Sequence, residues 1–317
     1  MSKKIKIYGV VGCTASGKTA LAIELAKRID GEIICCDSMQ IYKDMDIGTA
    51  KPTVEERAAA PHHMTDFLSP EVAYSCADYV KDAEAVVADI VSRGKKPIFC
   101  GGTGLYLDRF LRGGNSDEAA SDPEYREELT AISLQEGGVD ILHGMLREKD
   151  PESAEAIHKN NVKRVIRALE IIKATGRKKS VVDLENSELS DKYDIRIIYP
   201  FYQNREILYG RIERRVDMMV EMGLVEETKR LYDAGVFQVS STAAQAIGYK
   251  ELIPYVEGRD SLENCIEKLK TATRKYAKRQ NTWFSQKPYC HKILMDDGFL
   301  AETFENIVNI SEKYFIN

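Results

Sequence analysis

The feature that most constrains the fold is an octapeptide, Gly12-Cys-Thr-Ala-Ser-Gly-Lys-Thr19, which satisfies the pattern G-x-x-x-x-G-K-[ST]. The stretch from Lys4 to Val11 alternates and then becomes apolar like a buried strand, and Leu21, Leu25 and Ile29 follow at helical spacing. A glycine-rich loop between a strand and a helix offers its backbone N–H groups to an anion. The motif therefore predicts a phosphate-binding P-loop on a parallel α/β sheet.

Two side chains of this loop have predicted roles. Lys18 supplies a point charge for the outer phosphates, and Thr19 offers a hydroxyl to Mg²⁺, which we expect as the cofactor. Such a nest of donors holds any di- or triphosphate, and the third strand ends Phe-Cys-Gly-Gly, without the acid usual in ATPases and GTPases. The residues that we expect to bind the diphosphate are Gly12, Thr14, Ala15, Ser16, Gly17, Lys18 and Thr19.

Polar residues follow two further predicted strands. Glu32 to Cys36 leads into Asp37-Ser-Met-Gln40, and Pro97 to Cys100 leads into Gly101-Gly-Thr-Gly104. Ligands of an open parallel sheet lie at the carboxyl ends of its strands, so we expect these loops to meet the P-loop. Asp37 would then face the phosphate site, where a carboxylate can accept a proton from an attacking nucleophile.

The composition predicts two domains. Near Gly113-Gly114 acidic helical segments begin, and Tyr193 to Phe201 again has the pattern of a strand. We therefore predict a P-loop NTPase-like parallel core flanked by helices, with an inserted, mainly α-helical domain. The core comprises residues 1–115 and 191–317, and the insertion comprises residues 116–190. Within these bounds the sequence predicts an irregular region at 43–70, a helix beginning after Asp150, a linker at 180–190 and a mostly helical tail from residue 205.

The formal charge of −5 conceals two basic blocks. Residues 158–179 carry 8 basic and 1 acidic side chains, and residues 258–292 carry 9 basic and 3 acidic ones, whereas 113–157 carry 3 basic and 12 acidic. Such clusters of basic side chains are typical of proteins that bind nucleic acid, although many basic helix faces are simply exposed to solvent. Lys163, Arg164 and Arg167 share one helix face, and Arg279 lies in the second block near Lys275 and Lys278.

Several classes of protein are excluded. The 317 residues are enough to bury a large core, and no apolar stretch approaches the ~18 to 20 residues of a membrane span. Seven cysteines without paired motifs, and an adjacent His62-His63 without i, i+4 spacing, predict neither disulfides nor zinc. The basic, then apolar N-terminus runs into the glycine-rich loop rather than a cleavage site. We expect a cytoplasmic monomer.

Eight segments together resemble the tRNA dimethylallyltransferase (tRNA isopentenyltransferase) family. They cover nearly the whole chain to about residue 284, in the order typical of that family. The segments are the P-loop, Asp37-Ser-Met-Gln-Ile-Tyr42, Gly48-Thr-Ala-Lys-Pro52, Pro61-His-His63, Gly101-Gly-Thr-Gly-Leu-Tyr106, Arg164-Val-Ile-Arg-Ala-Leu-Glu170, Ala246-Ile-Gly-Tyr249 and Ala277-Lys-Arg-Gln-Asn-Thr-Trp-Phe284.

The resemblance implies transfer of a dimethylallyl group from dimethylallyl diphosphate to N6 of the adenosine on the 3′ side of the anticodon. The P-loop would hold the leaving pyrophosphate, Asp37 would be the general base, and Thr103 would help to hold the base or the target amine. Arg214 or Arg215 would contact the pyrophosphate, and we favour Arg215. The partner is the tRNA anticodon stem-loop with its target base flipped out. Its expected contacts are Asp37, Ser38, Met39, Gln40, Thr103, Lys163, Arg164, Val165, Ile166, Arg167 and Arg279.

Four positions depart from the family pattern: Cys13 stands where proline is expected, Cys35-Cys36 replaces a small polar or alanine pair, and Lys163 stands where glutamine is common. The residues themselves leave three alternatives. A P-loop kinase would share the cradle and the acid after the second strand. A free-adenylate isopentenyltransferase would share the chemistry, and a non-catalytic RNA-binding P-loop protein would share the basic blocks.

Overall fold

A parallel β-sheet forms the centre of the protein. A computed structural model describes residues 4–113, 122–239, 242–297 and 301–316. Within these ranges there are six strands, all parallel and ordered third, second, fourth, first, fifth, sixth across the sheet. They are β1 (Ile5–Val11), β2 (Gly31–Cys35), β3 (His62–His63), β4 (Lys96–Gly101), β5 (Tyr193–Phe201) and β6 (Cys290–Leu294).

The strand before the P-loop is an interior strand. β1 pairs with β4 on one side and with β5 on the other, and Ile7, Val10 and Val11 are fully buried. A strand covered on both faces needs continuous apolar residues, which explains why the alternation ends before the glycine-rich loop. The predicted α/β class with a parallel sheet is confirmed.

Helices flank the sheet and, with a 3₁₀ turn at Ala243–Gln245, make up the other regular elements of the described residues. Their bounds are α1 (Lys18–Ile29), α2 (Val54–Ala59), α3 (Cys76–Ser92), α4 (Gly104–Leu111), α5 (Pro123–Ser133), α6 (Gly138–Lys149), α7 (Pro151–Ala156), α8 (Val162–Thr175), α9 (Lys179–Glu185), α10 (Arg205–Glu221), α11 (Leu224–Asp233), α12 (Val236–Val239), α13 (Ile253–Val256), α14 (Leu262–Ser285) and α15 (Ala301–Ile316). No helix among the described residues is long and apolar enough to cross a membrane.

The chain divides into two compact units. One comprises Met1–Phe110 and Asp191–Asn317, and the other, the helical unit, comprises Leu111–Ser190. The predicted boundary between residues 115 and 116 lies outside the described residues. Helices α5 to α8 enclose the apolar core of the helical unit, in which Leu129, Leu142, Leu146 and Leu169 are almost inaccessible.

Local signals in the sequence explain several helix starts. Ser75 and Asp78 form a reciprocal capping box at the start of α3, in which each side chain accepts the other's backbone N–H. Asp150 caps α7 by accepting the N–H of Ser153 at 3.2 Å, and Pro151 occupies the first helical position. The predicted helix start after Asp150 is therefore confirmed.

One expectation for local structure, the linker, was wrong, and two others missed short regular elements. The predicted linker at 180–190 contains helix α9, because Val182 is buried and Asp150 binds the backbone and hydroxyl of Ser180. The mostly helical tail contains the edge strand β6, where only two of five residues are buried, so the pattern is weak. The irregular region at 43–70 contains the short helix α2 and the two-residue strand β3.

Candidate active site

The P-loop has the backbone shape of an anion-binding turn. Gly17, with φ of 85°, is the N-cap of α1, and Ala15 also has a positive φ of 61°. A left-handed conformation at Gly17 favours glycine, because most side chains are strained there. The ammonium of Lys18 turns back to the carbonyl of Cys13 at 3.3 Å. The loop therefore places a cation at the positive end of a helix.

The loops after β2 and β4 meet beside the P-loop, as expected. The N–H of Ser38 donates to Oγ1 of Thr103 at 3.0 Å, and the N–H of Thr103 donates to the carbonyl of Cys36 at 3.0 Å. The N–H of Gly12 donates to the carbonyl of Gly101 at 3.2 Å. Backbone hydrogen bonds therefore join all three loops at the carboxyl edge of the sheet.

The carboxyl group of Asp37 lies in a desolvated but positive environment. Burial raises its pKa, whereas the N–H of Met39, which Oδ1 accepts at 3.0 Å, and the charges of Lys18 and Arg215 act in the opposite direction. A carboxylate whose pKa is raised is a stronger proton acceptor than a solvated aspartate. Asp37 is thus suited to act as a general base.

A first cavity of about 250 Å³ opens above these loops. Apolar side chains of Ile212, Val216 and Leu269 line part of its wall. Gln280 also lines this cavity, although the sequence analysis did not place it among the substrate-binding residues. The predicted site residues that line this cavity are Thr14, Lys18, Asp37, Ser38, Met39, Gln40, Arg215 and Arg279.

A second cavity of about 780 Å³ lies on the other side of Lys18. The two cavities share Lys18, Ala50, Arg215 and Met219 in their walls. Of the predicted phosphate-binding residues, this cavity also contacts Ala15, Gly17 and Thr19, whereas Gly12 and Ser16 line neither cavity.

Arginines and methionines on one helix give the second cavity its chemistry. Arg211, Arg214 and Arg215 line it, and the Nε of Arg211 donates to the carbonyl of Ala15 at 2.9 Å. Met218 and Met219 on the same helix α10, together with Met222 at its C-cap, provide an apolar wall. Methionine adapts to irregular apolar groups. The sequence analysis did not find this wall, although its members recur at helical spacing.

The position of Arg215 distinguishes it from Arg214. Arg215 lines both cavities, and burial lowers the pKa of its guanidinium while the charges of Glu56 and Asp37 oppose that shift. Arg214 lines only the second cavity, is exposed, and its Nε donates to the carbonyl of Gly210 at 3.3 Å. Arg215 is therefore the arginine placed between the predicted phosphate cradle and Asp37.

A short loop, residues 48–50, forms the wall opposite Asp37. The carboxylate of Glu227 accepts the N–H groups of Ile47 and Gly48 at 3.0 Å, and the side-chain amide of Gln40 donates to the carbonyls of Thr49 and Ala50 at 3.1 and 3.0 Å. Gln40, a predicted tRNA contact, thus has both amide hydrogens committed to this wall.

Residues of α14 close the first cavity. Arg279 is exposed, and its guanidinium carbon lies 5.5 Å from the centre of the Tyr276 ring. Burial raises the pKa of the Tyr276 phenol, which faces Asp37 and Thr103. Trp283 is partly buried, and its indole nitrogen lies where a Cβ on Gly104 would be only 2.2 Å away. Trp283 therefore packs closely against the start of α4.

The predicted tRNA contacts at 163–167 divide into two groups. Lys163 and Arg164 are exposed, and Arg167 is half-buried with Nη1 at 3.6 Å from Glu170. Val165 and Ile166 are 1% and 7% exposed and pack in the core of the helical unit. The charged side chains thus form the accessible face of α8.

No group of three or more His, Cys, Asp or Glu side chains in the described ranges could hold a metal ion. Thr19 lies on the wall of the second cavity beside Lys18. A divalent cation here would need substrate phosphate oxygens and water, the ligands that Mg²⁺ commonly keeps. His62 and His63 interact instead with the carbonyl of Ala60 at 2.8 Å and with Glu32 at 2.6 Å.

The fold and the site define a P-loop α/β protein with two cavities that share cationic side chains at the carboxyl edge of a parallel sheet. A family model described as IPP transferase matches residues 40–287, and one described as isopentenyl transferase matches residues 5–61. The chain belongs to the IPP transferase family and is a prenyltransferase, which confirms the resemblance found in the motifs.

Individual relatives agree with this assignment. A tRNA dimethylallyltransferase of Bacillus mycoides is 49% identical over 282 residues, covering 89% of this chain and 87% of that protein. The crystal structure of the tRNA isopentenylpyrophosphate transferase of Bacillus halodurans has 42% identity and a TM-score of 0.71, covering 98% of this chain and 97% of that one. A eukaryotic dimethylallyltransferase acting on tRNA has 32% identity and a TM-score of 0.83, covering 99% of this chain and 80% of that one.

Proposed function

We propose that this protein transfers a dimethylallyl group from dimethylallyl diphosphate to N6 of the adenosine on the 3′ side of the anticodon in tRNA, releasing pyrophosphate. The observation that carries the proposal is the arrangement of the two cavities. Lys18 and Arg215 line both, and Asp37 lies in the first. A donor held at these cations can meet an acceptor beside Asp37.

The second cavity is suited to the donor. Its diphosphate would be held by the P-loop N–H groups, Lys18, Arg211 and Arg215, which concentrate positive charge where the leaving group gains negative charge. The apolar side chain of Met219, shared by both cavities, would contact the five-carbon group. Thr19 would hold Mg²⁺ together with the diphosphate, and the ion would supply additional charge neutralisation.

The first cavity is suited to the acceptor. An adenine amine is a weak nucleophile because its lone pair is delocalised into the ring. As N6 attacks the first carbon of the donor, the new carbon–nitrogen bond forms and the carbon–oxygen bond breaks. The electron pair of that bond leaves with the pyrophosphate, and the N6 proton passes to Asp37. Thr103 would orient the amine through the Ser38 backbone, to which it is hydrogen-bonded at 3.0 Å.

The target base must leave the stacked anticodon loop to enter this cavity, which costs a few kcal/mol. Ser38, Met39, Gln40 and Arg279 would contact the base or its neighbours. Lys163, Arg164 and Arg167 of the helical unit would contact phosphates of the anticodon stem-loop. The backbone, rather than the buried side chains, of Val165 and Ile166 would take part. We further propose that the protein acts as a monomer, which light scattering of the purified protein tests, and that it lies in the cytoplasm, which cell fractionation tests.

A transfer assay tests the proposed reaction. Radiolabelled dimethylallyl diphosphate is offered with unmodified tRNA and, separately, with AMP, and [γ-³²P]ATP is offered as an alternative donor. We expect label in tRNA alone, lost when the adenosine beside the anticodon is changed. Label in AMP would indicate an adenylate isopentenyltransferase, and phosphate transfer from ATP would indicate a kinase. Either result would contradict the proposal.

Variants of Asp37 distinguish a catalyst from an RNA-binding protein. Asp37→Asn keeps the shape of the side chain but removes the proton acceptor, so we expect transfer to fall by ~10²- to 10⁴-fold with tRNA affinity retained. Asp44→Asn, at an exposed carboxylate outside both cavities, is the matched control. A normal rate in the Asp37 variant would rule out this mechanism.

A further inference from the structure

We propose that Gln280 is a positioning residue that holds the phosphate cradle in register with the acceptor side of the site. The inference rests on the proposed function, since it assigns a role within the same reaction. Gln280 lies in the last two turns of α14, is only 5% exposed, and its side chain reaches the edge of the sheet from outside the sheet.

Both ends of the Gln280 amide are bonded to backbone. Its Oε1 accepts the N–H of Thr14 in the P-loop at 2.9 Å, and its Nε2 donates to the carbonyl of Gly102 at 3.0 Å. Neighbouring positions on the same face of α14, Ala277 and Phe284, are 0% and 1% exposed. The helix face that carries Gln280 is therefore fixed by packing, and the amide is a rigid link between two loops.

The link continues to the general base. Gly102 precedes Thr103, whose Oγ1 accepts the N–H of Ser38 at 3.0 Å, and Ser38 follows Asp37. A Cβ on Gly102 would lie 2.1 Å from the Gln280 Nε2, so glycine is required for this close approach. A path of hydrogen bonds thus runs from Thr14 in the P-loop through Gln280 to Gly102. It continues along the backbone to Thr103 and through a further hydrogen bond to Ser38, the residue after Asp37.

This connection matters because the two substrates are held by different loops. The P-loop would fix the carbon that is attacked, and the loops after β2 and β4 would fix the amine and its base. A misplacement of about 1 Å between reacting groups can cost ~100-fold in rate. Loss of the Gln280 link would leave the P-loop and the loops after β2 and β4 each able to bind its own ligand. Their alignment would then be held only by the backbone bonds between them, such as that of Gly12 to Gly101, and would be looser.

The experiment compares three variants of the full chain. Gln280→Met has a similar volume and removes both hydrogen bonds, whereas Gln280→Glu keeps an acceptor for Thr14 but cannot donate to Gly102. Gln286→Met is the matched control, because Gln286 is an exposed glutamine at the end of the same helix. For each protein, kcat, tRNA affinity, inhibition by inorganic pyrophosphate and the thermal unfolding midpoint are measured.

We expect Gln280→Met to lower kcat by ~10- to 100-fold, with tRNA and pyrophosphate affinities within about twofold of the wild type. In a plot of kcat against pH, the fall of kcat on the acidic side (the acid limb) should also move to higher pH. Lys18 helps to hold down the pKa of Asp37, and a displaced P-loop weakens that effect. A role confined to general stability would change the unfolding midpoint without moving this limb. Gln280→Glu should lower kcat as well, and the Gln286 variant should match the wild type.

Three results would overturn the inference. Unchanged kcat in Gln280→Met would show that the link is dispensable. A loss confined to tRNA affinity would make Gln280 a direct RNA contact, and a loss confined to pyrophosphate affinity would make it part of the cradle alone. The proposed function is tested by a different result. If the wild-type protein does not transfer label to tRNA, both the proposed function and the role of Gln280 are overturned.

Discussion

The carboxylate of Glu227 accepts a hydrogen bond from the hydroxyl of Tyr249 at 2.7 Å, and the two side chains are 8% and 0% exposed. The same carboxylate accepts backbone N–H groups of Asp46, Ile47 and Gly48. Burial and the nearby charge of Glu227 raise the pKa of Tyr249, so the phenol remains a donor. Together these bonds hold the loop that faces Asp37.

Replacing Glu227 by glutamine puts an amide group among donors that need acceptors. We expect Glu227→Gln to lower the free energy of unfolding by about 1–3 kcal/mol and Tyr249→Phe by about 0.5–1.5 kcal/mol, measured by urea denaturation. Transfer activity should fall more in Glu227→Gln than in Tyr249→Phe, because the loss of these hydrogen bonds loosens the cavity wall. Glu226→Gln, at the exposed neighbouring position, is the control. Equal stabilities of the Glu226 and Glu227 variants would contradict this account.

The pH dependence of transfer should reflect the environment of Asp37. Burial raises the pKa of this group above its ordinary value of 3.8 in the free protein. The base is active when ionised, so kcat should decline as the pH falls through the raised value, before an exposed aspartate would titrate. Measuring kcat against pH, with circular dichroism to confirm folding at each point, tests this. An acid limb at or below 3.8 would argue against a buried base.

The helical unit should depend on one ionised carboxylate. Although burial of Asp150 opposes ionisation, hydrogen bonds from Ser153 and Ser180 prevail and lower its pKa to about 2. The unfolded-state pKa is ~3.9, so this stabilisation is complete above that pH and is lost as the pH falls towards 2.

Asp150→Asn should therefore lower the stability of the helical unit by about 1–3 kcal/mol near pH 7, with a smaller difference from the wild type below about pH 4. Amide hydrogen exchange in α7 and α8 reports on this unit within the full chain. Asp140→Asn removes an exposed ion pair with Lys159 and should change little. A difference that stays constant between pH 7 and pH 3 would refute the assignment.

The basic face of α8 should contribute to tRNA affinity through phosphates. Lys163→Ala and Arg164→Ala should each weaken binding at low salt, and each should reduce the salt-dependence slope by about 0.7–0.9. Lys149→Ala, an exposed lysine at the end of α6, is the control from the same unit. Filter binding over a range of salt concentrations measures both quantities. Variants with reduced affinity but an unchanged slope would indicate contacts other than phosphate.

Much of the site was predictable because it follows from the ends of buried parallel strands. β1 and β2 are apolar runs that stop abruptly, so Lys18 and Asp37 could be placed at one edge. The methionine wall of α10 was not predictable in this way. Met218 and Met222 are 53% and 63% exposed, and a sequence pattern does not show that they border a cavity.

Other failures arose where tertiary contacts override local composition. The two-residue strand β3 forms because β2 offers it a partner, with Ile33 and Ile34 opposite His62 and His63. The role of Gln280 was invisible because a glutamine in a polar helix usually faces water. Only the fold shows that its amide lies between Thr14 and Gly102.

The helical unit begins and ends at one point, since the N–H of Ser190 donates to the carbonyl of Leu111 at 2.9 Å. β5 begins at Tyr193, just after this closure, and pairs with β1 without help from the inserted residues. The pairing of β1 with β5 therefore needs no residue of the helical unit. The same geometry marks the residues where a short glycine linker could replace it, leaving a minimal prenyl-transfer scaffold for engineering towards other acceptors.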